Sequence, residues 1–298
     1  MEETISQEIL NVIDGFDFHT LNPGSGDTLL TRKETKFLLT PFQALSLLYE
    51  IQPISSVLEV ANQRFCHYRN TYFDTEQHTC YLNHLHGRGN RLKIRMRSYL
   101  DSGAHFIEVK RNTSGKMGMK SRTAANPDLD ISAYQEFLRA NSVPYRQSLQ
   151  PSLRNSYARL SIQNSDGERL TLDHQLTFER IDDYGFCCAL PGLIVVELKQ
   201  TKLSRRSAYY RALKRLGARP SSFSKYCIGM LLTTGENDPL PYNRLKPQLR
   251  KVERFGGVVF PELPTLEELC DDSVIDVEVP AEFPVDTDPS QPLYGKVS

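Results

Sequence analysis

The stretch that most constrains this chain is Arg91 to Lys110, RLKIRMRSYLDSGAHFIEVK. Its polar residues fall on every second position. Lys93, Arg95 and Arg97 share one parity, and Ile94 and Met96 share the other. After a turn at Asp101-Ser102-Gly103, Glu108 and Lys110 share one parity and Ile107 and Val109 the other. Strands send alternate side chains to opposite faces, so this is a hairpin with one apolar and one cationic face. Like charges side by side on one face repel. A face this basic is costly unless an anion rests on it.

Further strands repeat the pattern. Arg32, Glu34 and Lys36 alternate with Thr35, Phe37 and Leu39 within 31–39, and Arg169 and Asp173 oppose Leu170 and Leu172. Glu197 and Lys199 oppose Val196 and Leu198. Phe65 to Asp74 and Pro151 to Ile162 read as two more strands, the second with Arg154 on one parity and Asn155, Tyr157 and Arg159 on the other. Lys116, Lys120 and Arg122 share a parity in a glycine-interrupted segment. Closing such strands into a barrel points the charged parity inward. The result is a basic tunnel suited to a polyanion, with helices over the apolar outside. Carboxylates among the cations suit Mg²⁺ or Mn²⁺, which prefer oxygen ligands and travel with phosphates.

Helices are read at 41–51, with Phe42, Leu45, Leu48 and Tyr49 as the apolar stripe, and at 130–140, 204–216 and 221–230. Thr40-Pro41 fits an N-cap followed by proline at the first helical position. Residues 81–89 read as a loop or short strand.

Charge divides the 298 residues into three parts. Net charge is zero, yet residues 1–29 hold six acidic side chains and no Lys or Arg, and residues 258–298 hold ten against one lysine. The body between them, 35 basic and 20 acidic residues, points to an anionic ligand. The expected organisation is an acidic, weakly ordered leader (1–29), a tunnel domain (30–234) and a Pro-rich, acidic, largely disordered tail (235–298). The six cysteines form no C-x-x-C pair, which suits free thiols in a reducing compartment. No signal-peptide pattern and no run of about 18 apolar residues occurs, so no transmembrane segment and a cytoplasmic location are expected. The cations are interleaved with apolar residues on strands, and no nucleic-acid motif is present, so a nucleic-acid partner is not expected.

The ordered set R-x-E-x-K-F (32–37), YFDT (72–75), K-I-R-M-R (93–97), F-I-E-V-K-R (106–111), Arg154-x-x-Tyr157, R-L-T-L-D (169–173), V-V-E-L-K (195–199) and Ser224-Lys225-Tyr226 resembles the VTC domain of the triphosphate tunnel metalloenzymes over about residues 30–231. The resemblance implies an α+β fold, an eight-stranded antiparallel β-tunnel with helices packed outside. It implies a polyphosphate polymerase that moves the γ-phosphate of ATP onto inorganic polyphosphate with Mn²⁺ or Mg²⁺. It points to Lys36, Arg95, Arg97, Lys110, Lys120, Arg154 and Arg169 as phosphate ligands, joined by Lys93 and Lys199 on the same parities. Glu197 is assigned to the metal, Glu34 and Glu108 to a second metal or lysine-orienting role, and Lys225 to the terminal phosphate; Lys225, Glu197, Arg95 and Arg97 are the catalytic set. Two alternatives stand beside it: a triphosphatase using water as acceptor, and a non-catalytic module binding polyphosphate or inositol phosphates. Partner proteins are not specified.

Overall fold

In the computed structural model the described residues are 2–20, 33–113, 118–181, 187–233, 250 and 252–259. In chain order they form α1 (Glu2–Asp14), β1 (Asp17–His19), β2 (Lys33–Leu39), α2 (Pro41–Ile51), β3 (Ser55–Leu58) and β4 (Phe65–Asp74). Then come α3 (Thr79–Leu85), β5 (Arg91–Tyr99), β6 (Ala104–Asn112), β7 (Met119–Ala124) and α4 (Gln135–Ala140). The chain continues through β8 (Gln150–Asn164), β9 (Arg169–Arg180), β10 (Cys187–Leu190), β11 (Ile194–Gln200), α5 (Ala208–Arg215) and α6 (Lys225–Leu232). Eight strands lie in one antiparallel path, β2-β11-β9-β8-β4-β5-β6-β7, and β1, β3 and β10 sit off it. Among the described residues no ladder joins β2 to β7. The path nevertheless curls back on itself, because Lys110 Nζ on β6 lies 3.8 Å from Glu34 Oε2 on β2.

Period-two alternation decides what lies outside the curl. Phe37, Leu39, Leu160, Ile162, Leu170, Leu172, Ile194, Val196 and Leu198 are buried together beneath α1, α2 and α5. Leu92, Ile94, Ile107 and Val109 belong to a second cluster with residues of α3, α4 and α6. Burying one apolar side chain of this kind contributes about 1.5–3 kcal/mol, so the outer parity fixes the register. The fold is α+β, an antiparallel sheet with α1, α2 and α5 on its outer face and α6 set against its inner one.

Several expectations are corrected here. The leader is folded over 2–20: Val12, Ile13 and Phe16 are buried against α2 residues, and β1 pairs in parallel with β3. Its acidic positions mask an apolar stripe that the sheet's outer face receives. Residues 252–259 also belong to the folded body. Val252 is buried, and Val259 exchanges two backbone hydrogen bonds with Ala189 of β10, at 2.8 and 3.1 Å. The remaining tail, Lys116 and the start of the first motif at Arg32 lie outside the described residues.

Segment 79–85 is helical rather than a loop or strand. Its first amides are satisfied from a distance, since Asp74 accepts N–H bonds from Thr75, Cys80 and Tyr81 at 2.7–2.9 Å. In α2 the capping box of Thr40 and Gln43 is present as expected. Its buried stripe, however, is Ala44, Leu45, Leu47, Leu48 and Ile51, while Phe42 and Tyr49 are 67% and 58% exposed. A helix that is apolar nearly all round does not declare its inner face by period alone.

Candidate active site

The charged parity of the curled sheet forms its inner face. On one wall, backbone register puts Lys93 opposite Lys110 and Lys110 opposite Lys120, with Arg95 opposite Glu108. On the other wall, Lys36 stands opposite Glu197, Glu34 opposite Lys199, and Lys199 opposite Arg169. The first turn of α6 enters between these walls. Lys36 Nζ donates to the Phe223 carbonyl at 3.0 Å, and Lys93 Nζ donates to Ser224 Oγ at 2.9 Å. Lys225 Nζ donates to Asp173.

Two buried carboxylates organise the cations. Glu108 takes Arg95 Nε at 2.8 Å and Lys120 Nζ at 2.8 Å, with Arg97 Nε at 3.9 Å. Burial opposes its charge, but Arg95, Arg97 and Lys120 outweigh burial and hold it well below the usual carboxylate range. Asp173 takes a bidentate fork from Arg159, at 2.6 and 2.9 Å, together with Lys225. Burial again opposes the charge, and Arg159 and Lys225 again prevail. Arg97 Nε also donates to Asn70 Oδ1 at 3.1 Å, and Asn70 donates to Asn155 at 3.2 Å.

The lysines are less fully compensated. Burial, reinforced by Lys36, Lys110 and Arg95, pushes the Lys93 amine down to about 8. Burial also lowers Lys36, with Glu197 opposing and Lys225 and Lys110 adding to the shift. Lys225 Nζ lies 4.4 Å from the centroid of the Tyr157 ring. Burial pushes the Tyr157 phenol up, yet Arg159, Arg97 and Lys225 bring it down to about 8. Cations that depress one another mark a place where an arriving anion is strongly favoured.

Lys36, Lys93, Arg95, Arg97, Lys110, Lys120, Arg169, Lys199, Glu34, Glu108, Glu197 and Lys225 are thus gathered on or against one inner face. Arg154 is not among them. It lies on the opposite parity from Asn155 and pairs with Glu179 at 2.7 Å. Arg159 and Asp173 occupy the wall instead, with Tyr157. The signal was present in the sequence, because Tyr157 and Arg159 share the parity of Asn155, away from Arg154.

Among the described residues no three His, Cys, Asp or Glu side chains converge as a ready-made metal site. Both oxygens of Glu108 are engaged by Arg95 and Lys120, so Glu108 fits a lysine- and arginine-orienting role better than a metal-binding one. Glu197 and Glu34 fit better. They are diagonal neighbours on β11 and β2, and Mg²⁺ or Mn²⁺ arriving with phosphates needs only one or two protein carboxylates. Burial raises the Glu197 carboxyl, but Lys199 at 3.6 Å, Lys36 and Arg159 bring it down to about 2, so it is ionised and ready to ligate.

Two sequence motifs acquire distinct tasks. In Ser224-Lys225-Tyr226, Ser224 caps α6 and receives Lys93, and Lys225 meets Asp173. Tyr226 donates to Asp74 Oδ2 at 2.6 Å and stacks on Tyr72. In the YFD motif, Tyr72 and Phe73 are core and Asp74 ties α3 to α6.

A family model described as VTC domain matches residues 31–234. Solved structures share part of the shape. A Hippeastrum protein described as having a dominant triphosphatase activity is similar at 16% identity with a TM-score of 0.43, covering 70% of this chain and 98% of that one. A Pyrococcus horikoshii protein is similar at 13% identity and a TM-score of 0.38, covering 67% and 98%. A conserved Pyrococcus furiosus protein is similar at 11% identity and 0.36, covering 64% and 98%. No curated protein matches the sequence.

Proposed function

The chain belongs to the VTC domain family, within the triphosphate tunnel metalloenzyme fold, and on that footing we propose that it is a polyphosphate polymerase. The observation that carries this reading is the convergence of Lys36 and Lys93 on the start of α6, where Lys225 meets Asp173, beside arginines held in place by Glu108. In the proposed reaction a terminal oxygen of the growing phosphate chain attacks the γ-phosphorus of ATP. The bond from that phosphorus to the β,γ-bridging oxygen breaks, ADP leaves with the electron pair, and the chain gains one phosphate. Such transfer needs positioning and charge stabilisation more than covalent help from the protein. The main obstacle is repulsion between two anions, and a wall of cations answers it.

Each group then has a task. Arg95 and Arg97 bind phosphoryl oxygens, with Glu108 fixing the Arg95 fork so that little order is lost on binding. Lys225, held by Asp173 over the Tyr157 ring, neutralises charge on the terminal phosphate. Lys36, Lys110, Lys120, Arg169 and Lys199 line the path, with Arg159 added by the geometry. Glu197 and Glu34 would hold a magnesium or manganese ion, which would supply charge neutralisation to the phosphates.

The test is a product gel of the purified protein with ATP and Mn²⁺, run beside Glu197→Ala. Long phosphate chains from the wild type and none from the variant are expected. Free phosphate without chains would replace the polymerase by a triphosphatase. Salt-sensitive polyphosphate binding without turnover would replace it by a binding module.

A further inference from the structure

The inner row of β5 does not stop at Lys93. Two residues further back, Arg91 has the same parity, opposite Asn112 of β6. Its Nε is buried and has no hydrogen-bond partner. An arginine nitrogen withdrawn from water without an acceptor costs free energy that a bound anion would return. The last turn of α3 brings His84 to the same place, since α3 contacts both β5 and α6. His84 Nδ1 lies 2.9 Å from the Cys80 carbonyl. A carbonyl only accepts, so Nδ1 carries the hydrogen and Nε2 is the nitrogen left to gain a proton.

The surroundings of this histidine are uniformly basic. Lys93 and Arg91 of β5 and Lys110 of β6 act on it, while on α6 the neutral Cys227 thiol faces Lys93 and Arg91. Burial, then Lys93, push His84 down to about 4, with Arg91 and Lys110 adding to the shift. Neither Arg91 nor His84 has a part in the transfer described above.

We propose that Arg91 and His84, together with Lys93, form a further phosphate subsite that takes an inorganic oligophosphate chain beyond the phosphates held by Arg95 and Arg97. The inference rests on the polyphosphate reading and deepens it, because it makes this end of the inner face selective for chain length. A triphosphate ends before the subsite, and a longer chain enters it. Entry of a phosphate among these groups draws a proton onto His84.

Calorimetric titration of the full chain with inorganic tripolyphosphate and with long-chain polyphosphate tests this. Arg91→Gln and His84→Gln are each expected to weaken the long chain about tenfold, the loss of one charge-assisted contact, and to leave tripolyphosphate within about twofold. Retained tripolyphosphate binding also shows that the variants are folded. Repeating the titration at about pH 6, in buffers of different ionisation heat, reads proton uptake where Lys93 is already charged. Uptake by the wild type and its loss in His84→Gln are expected. Unchanged long-chain affinity in both variants, or equal loss of both probes, overturns the subsite. Uptake that persists in His84→Gln removes the histidine from it. Wild-type protein that binds neither probe overturns the polyphosphate reading itself.

Discussion

Glu108 is a carboxylate with three cations around it and almost no contact with water. Replacing it by glutamine leaves Arg95, Arg97 and Lys120 without their counter-charge. Removing one partner of a buried pair costs about 3–5 kcal/mol, so Glu108→Gln is expected to lower unfolding stability on that scale in urea. Added tripolyphosphate should restore much of the loss, since its oxygens replace the missing charge; a variant that stays equally weak with the ligand would show that Glu108 serves the fold alone. The arginines of β8 separate in the same way. Arg159→Ala is expected to weaken tripolyphosphate binding about tenfold or more, and Arg154→Ala to leave it within about twofold. Titration of both variants checks which parity faces the ligand. Lys93 adds a pH dependence. Its amine loses charge above about 8, so phosphate affinity should fall as pH rises through that value, and Lys93→Arg should flatten the profile. Its effect on stability runs the other way. The folded value lies below the ordinary 10.5, so the unfolded chain holds more protons between about 8 and 10.5, and the lysine's contribution to stability rises with pH across that window.

Among the elements, α6 is the most closely fitted. A Cβ added at Gly229 would lie 2.5 Å from both Leu153 Cδ2 and Phe178 Cδ1. Both neighbours are fully buried and have nowhere to retreat. Gly229→Ala is therefore expected to cost about 1–3 kcal/mol, visible as a lower melting temperature, and an unchanged melting curve would contradict this packing. The strands were legible in the sequence because period two is a strong signal when one parity is charged and the other apolar. Lys93, Arg95 and Arg97 against Ile94 and Met96 admit little else. Helix α3 was not legible, because its amides are received by Asp74, upstream of the helix, and no local capping residue announces it. The choice between Arg154 and Arg159 needed one more step. Both lie in the same strand, and only the shared parity of Arg159 with Tyr157 separates them.

At the scale of the whole molecule, the family-matched stretch is not the full extent of the folded body. The described part of the leader covers the sheet's outer face through Val12, Ile13 and Phe16, and residues 252–259 run beside β10. Gly192 lets this last segment come close, since a Cβ there would lie 2.1 Å from the Phe255 carbonyl oxygen. A chain ending at Thr233 loses buried Val252 and both backbone bonds between Ala189 and Val259. It is expected to be less stable by about 1–3 kcal/mol, and equal stability in thermal melts would place the boundary of the folded body at 233 after all. Acidic composition hid the first addition, because charge on exposed positions says little about the few apolar residues that dock, and residues 252–259 carry too short an apolar run to announce a docked segment.

Three successive residues at the start of α6 reach three different strands or their neighbours: Ser224 to β5, Lys225 to β9, Tyr226 to the end of β4. Three ties set at adjacent positions act as a spacer of fixed length. The sheet cannot widen or narrow around them without breaking one. The opening between the two walls therefore has its calibre set during folding, before anything enters it.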